Sequence, residues 1–115
     1  MDPRDQFRQA AALTDLFIAK QLGPKPRRVA DQDSAIARAC EVLDSLNTAE
    51  AEYARYILAV ECRAWTREAE GRSPSVEQFE AAITYVKAAP DEEVRRLARC
   101  GMWLRARPWD GWDKP

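Results

Sequence analysis

The 115-residue sequence predicts an all-α fold, a compact bundle of about five helices with a long central third helix. Two patterns carry this prediction. No alternation of apolar and polar residues persists long enough to make a strand, whereas a 3.6-residue apolar period recurs five times, each time between recognisable stop signals. A chain of this length holds one core, which buries roughly two thirds of the unfolded surface. Residues 1–115 therefore read as a single helical domain.

Asp2 followed by Pro3 is a cap and first-turn pair, and the first helix runs from there to Leu22, where Gly23-Pro24 stops it. Phe7, Ala10, Ala11, Leu13, Phe17, Ile18 and Leu22 cover one half of its cylinder and are expected in the core. The segment 23–31, with two prolines and Lys25, Arg27 and Arg28, reads as an extended basic linker. A second helix is expected from Asp33 or Ser34, burying Ile36, Ala39, Cys40, Leu43 and Leu46 before Asn47 interrupts it.

Thr48 caps the third helix, which the pattern extends from Ala49 to Glu70. At 100° per residue it carries two apolar stripes, one of Ala49, Tyr53, Tyr56, Ile57, Val60 and Ala64, the other of Leu58, Cys62, Trp65 and Ala69. A helix apolar on two faces belongs at the centre. Gly71 ends it. Ser75 and Gln78 stand at capping-box spacing before a fourth helix that buries Val76, Phe79, Ile83 and Val86. Pro90-Asp91-Glu92-Glu93 opens the fifth, with acids at the positive end of its dipole, and Arg107-Pro108 closes it. Residues 108–115 form a tail containing Trp109 and Trp112.

Charge is sorted by region. Residues 1–28 carry +3, residues 29–93 carry −8 and residues 94–115 carry +4, so the net charge of −1 is a cancellation between unlike segments. Such sorting points to an interaction surface rather than to a reaction. The sequence contains no histidine, which removes the usual partner of serine and cysteine nucleophiles. Its four glycines are isolated and its cysteines lie 22 and 38 residues apart, so neither a phosphate-cradling loop nor a zinc site can be written. Cys40, Cys62 and Cys100, each in an apolar helical stretch, are expected as reduced, buried thiols. Glu61 and Glu68, two turns apart on the third helix, are the remaining carboxylate pair; they read as solvated or paired with arginine. No catalytic residue, metal or small-molecule cofactor is expected.

No apolar run exceeds five residues, and the N-terminus opens with acids. The expectation is no membrane segment, no secretory leader and a cytoplasmic location. Fourteen arginines against four lysines, with twenty alanines, suggest a GC-rich bacterial or phage genome.

The sharpest constellation lies on the fifth helix, where 94–107 holds five arginines and no acid. One side carries Val94, Leu97, Ala98, Cys100, Gly101 and Leu104, with Gly101 permitting a close helix approach. The other carries Arg95, Arg96, Arg99, Trp103 and Arg107, with Trp109 and Trp112 beside it, and these seven are the candidate partner-binding residues. The bland alternative has Trp103 covering a neighbouring helix, the arginines lying on the chain's own acidic middle, and the tail tryptophans sealing the bundle. The reading is a non-enzymatic protein–protein interaction module, a subunit, adaptor or inhibitor that docks on a larger assembly or on itself. A small helical nucleic-acid-binding regulator, or a helical subunit of a ribonucleoprotein complex, using the same face is the alternative, weighed down by the acidic middle.

Overall fold

A computed structural model describes residues 2–65, 74–106 and 112. It contains α1 (Pro3–Leu22), α2 (Val29–Ser45), α3 (Ala49–Trp65), α4 (Val76–Ala88) and α5 (Asp91–Ala106), the all-α bundle that the periodicity predicts. None of these helices is long and apolar enough to cross a membrane. The part of the third helix expected beyond Trp65, its stop at Gly71, and the tail residues Arg107 and Trp109 lie outside the described residues.

Most helix ends follow local chemistry. The Asp2 carboxylate accepts from the Arg4 amide at 2.8 Å, and Gly23, at φ 70°, ends α1 with its N–H on the Ala19 carbonyl. Thr48 Oγ1 accepts from the Ala51 amide at 3.1 Å. The Ser75–Gln78 capping box is present in both directions, at 2.9 and 3.1 Å. Two starts differ from expectation. α2 begins at Val29, so the linker is shorter than 23–31; Ser34 Oγ, at the anticipated start, bonds back to the Ala30 carbonyl inside the helix, and Arg28 occupies the cap position without a side-chain capping bond, its guanidinium meeting Asp31 instead. Asp91 is already helical, and the Pro90 carbonyl accepts the first amides of α5, those of Glu93 and Val94.

α3 is the shared wall of two cores. Ile57, Leu58, Ala59 and Val60 are all buried, and four successive side chains at 100° steps sweep most of the cylinder, so this helix is enclosed as its two stripes require. One core joins Phe17 and Ile18 of α1, Ile36 and Leu43 of α2, Ala54 and Leu58 of α3, Met102 and Ala106 of α5, and Trp112. The other joins Phe7, Ile57, Val60, Phe79, Val86 and Leu97. Edge-on rings knit that second core together, with Phe7 and Phe79 centred 4.8 Å apart and Trp65 and Phe79 5.6 Å apart.

The tightest join is α5 on α3. A methyl group at position 101 would lie 2.9 Å from the Leu58 carbonyl carbon and closer still to its oxygen, so only glycine lets the two backbones touch. This approach also rotates α5 relative to the expected wheel. Leu97, Ala98, Gly101, Met102 and Ala106 are buried, whereas Cys100 and Leu104, expected inside, are exposed.

Other departures concentrate on one side of the molecule. Periodicity assigns Leu13 and Tyr53 to the core, yet both stand open, Leu13 at 67% exposure, because no described helix covers the outer edge of the α1–α3 seam.

Replacing Gly101 with alanine separates two opposing effects. Helix propensity alone predicts a gain of about 1 kcal/mol, whereas collision with Leu58 predicts a loss of about 1–3 kcal/mol. We expect Gly101→Ala to lower the urea midpoint; a raised midpoint would show that the helices do not meet there.

Candidate functional site

The arginines of α5 are turned largely toward the chain itself. Arg95 donates through Nε to Asp91 at 2.7 Å and through Nη1 to the Asp44 carbonyl. Arg99 meets the Asp44 carboxylate at 2.6 Å, and Arg96 meets Glu93 at 2.5 Å. The hydrogen bonds from Arg95 and Arg96 hold Asp91 and Glu93 below the usual carboxylate range. Trp103 is half-buried and packs against the first core. Trp112 is 2% exposed, its indole N–H donating to the Gly23 carbonyl at 2.9 Å while Lys25 sits 5.9 Å above its ring. It therefore belongs to the protein's own core rather than to an exposed face. Arg96 and Arg99 remain the accessible members of the set, their side chains 62% and 55% exposed.

Asp44 identifies what the inward arginines do. α2 has no basic residue in its last turn, where its carbonyls carry the negative end of the helix dipole. Arg55 from α3, itself buried, donates to the Leu43 and Leu46 carbonyls, the second at 2.9 Å, and Arg95 and Arg99 arrive from α5. Arg55 and Arg95, from two other helices, thus cap the carbonyls of one helix end, and Arg99 pairs with the carboxylate beside them.

A second, partly buried charge cluster ties three helices. Arg105 reaches Asp15 of α1 at 2.5 Å and both oxygens of Glu61 of α3 at 2.6 Å. Burial pushes the Glu61 carboxyl above its ordinary range, with Arg105 pulling the other way. Burial opposes the charge of Arg105, but the Asp15 hydrogen bond and the Glu61 charge outweigh it and raise its pKa. The arginine pairing read for Glu61 from the sequence is present; Glu68 lies outside the described residues.

Clefts of about 190 and 200 Å³ open on either side of this triad, the first lined by Cys62, Trp65, Gly101 and Leu104, the second by Arg4, Phe7, Arg8 and Pro74. Buried Cys40 has its thiol pushed up to about 11 by desolvation and is protonated and unreactive at neutral pH. Among the described residues no group of three His, Cys, Asp or Glu side chains is placed to hold a metal ion.

A larger opening than either cleft lies elsewhere. A groove of about 330 Å³ runs between α1 and α3, lined by Leu13, Thr14, Leu16, Phe17, Glu50, Tyr53 and Ala54. Leu16, at 71%, is the most exposed large apolar residue described, and Leu13 precedes it by one turn. Sequence reasoning passed over Leu16, which falls outside the apolar half of the α1 wheel. It also passed over Arg55 and Arg105. Their signal was present, since each occupies a register among buried positions, Arg55 between Ala51 and Leu58, Arg105 between Met102 and Ala106.

No family model matches the chain, and no curated protein or solved structure is significantly similar to it.

Three stability measurements probe these charges. Arg105→Met leaves Glu61 and Asp15 without their partner and is expected to cost about 3–5 kcal/mol in urea unfolding. Because folding raises the Glu61 pKa, this group favours the folded state most fully below the ordinary glutamate range, and the benefit fades as pH rises through the raised value. Glu61→Gln should remove that decline. A stability profile above the ordinary carboxylate range that is identical in wild type and Glu61→Gln would contradict the assignment. Arg55→Met, which orphans two α2 carbonyls, should cost about 2–4 kcal/mol.

Proposed function

We propose that this protein is a non-enzymatic protein–protein interaction module, acting as a subunit, adaptor or inhibitor that docks on a larger assembly. The groove between α1 and α3 carries the reading. Leu13, Leu16 and Tyr53 stand exposed around one apolar cleft, and Leu13 and Tyr53 are residues that helical periodicity assigns to a core. Scattered surface leucines are ordinary, whereas a clustered, concave apolar patch marks a contact site.

This moves the proposed contact surface from α5 to α1 and α3. The α5 arginines have an intramolecular task in holding the end of α2, which supports a structural role for Arg95 and Arg99 and leaves Arg96 as the most exposed cation among the described residues of that face. The non-enzymatic reading draws support from Glu61, whose carboxylate is engaged on both oxygens by Arg105. Nucleic-acid binding is the second reading, favoured by the exposure of Arg96 and Arg99. The carboxylates of Glu93 and Asp44 beside them offset the phosphate attraction it needs.

A photo-crosslinking residue at position 16 tests the proposal in living cells against a control at exposed Thr84 on α4. The expected result is a discrete protein adduct from position 16 alone. Absence of that adduct, together with salt-sensitive binding of short DNA or RNA that is lost in Arg96→Ala/Arg99→Ala, would replace this reading with the nucleic-acid one.

A further inference from the structure

We infer that the occupant of the α1–α3 groove is a second copy of this chain, so that the protein forms a two-fold dimer in which the α1 helices pack antiparallel across each other. The inference rests on the interaction-module reading and names its partner. A two-fold interface requires one patch that complements itself, with ridge and groove on the same surface. Leu13 and Leu16 meet that requirement: they project from α1 as an apolar ridge and also form one wall of the groove.

Charge fits the same arrangement. On the helical wheel, Asp5, Gln9, Leu16 and Lys20 share the outer face of α1, with Asp5 near its N-terminal end and Lys20 near its C-terminal end. An axis passing between Leu13 and Leu16 sets Lys20 of one copy opposite Gln9 of the other, twice, one turn short of Asp5, a gap of about 6 Å that a lysine side chain spans, and it opposes the two helix dipoles. A parallel arrangement would place Lys20 against Lys20. The net charge of −1 leaves little repulsion between copies. An apolar seam flanked by complementary charges is the usual anatomy of such a contact.

Sedimentation velocity on the full chain reads the result directly. The expected species at micromolar concentration has twice the 13.1 kDa chain mass. Leu13→Arg/Leu16→Arg should return it to the single-chain mass with unchanged helicity, because both side chains are solvent-exposed in the monomer. Lys20→Glu should weaken the dimer at least tenfold, and adding Asp5→Lys should restore it. A single-chain mass for the wild type at high micromolar concentration, or a dimer that survives the double arginine substitution, overturns the inference. If the wild type is monomeric and the position-16 cross-linker captures a different protein, self-association fails while the interaction reading stands. If neither self-adduct nor other adduct forms, both fail.

Discussion

Because a side chain at position 101 would collide with the Leu58 carbonyl, α5 lies backbone to backbone on α3, and much of the remaining structure follows from that approach. It brings Met102 and Ala106 into the first core and Leu97 into the second, so one helix contact serves both halves of the molecule. It also carries Arg105 into the seam beside Glu61 and places Arg95 and Arg99 at the end of α2. A wider separation would leave Arg105 out of reach of Asp15 and Glu61 and would strip the end of α2 of two of its three guanidinium donors.

The sorted charge of the sequence therefore has a largely internal explanation. Acidic residues of the middle segment, Asp44 and Glu61, are met by basic residues of the last segment, Arg99 and Arg105. Exposed pairs such as Arg96–Glu93 add little stability. The partly buried Arg105–Glu61 pair matters more, because removing either partner strands a partly desolvated charge. Arg55 does comparable work without a carboxylate, its guanidinium spanning two carbonyls at the end of α2.

The fold was legible where chemistry is local. Asp2-Pro3, Gly23, Thr48 and the Ser75–Gln78 box each mark an end through bonds within a few residues. The start of α2 was illegible because Ser34 offers the hydroxyl of a cap and uses it on Ala30 inside the helix. The α5 face was misassigned for a different reason: a wheel gives angular spacing but not which arc faces inward, and Arg105 in the buried arc displaced Cys100 and Leu104 outward. Leu13 and Tyr53 show the limit most clearly. Their pattern is that of core residues, and the covering surface that the pattern implies is not supplied by any described part of the chain.

That mismatch is the centre of the functional account: the arginines of α5 hold the bundle together, and the α1–α3 groove is the proposed contact surface. Hydrogen-exchange mass spectrometry of the dilute and the concentrated protein distinguishes the two surfaces without any substitution. The account predicts that raising the concentration slows exchange in residues 9–20 and 49–54 and leaves 93–104 unchanged. Slowing confined to 93–104, with α1 unaffected, would return the contact surface to the arginines and contradict it.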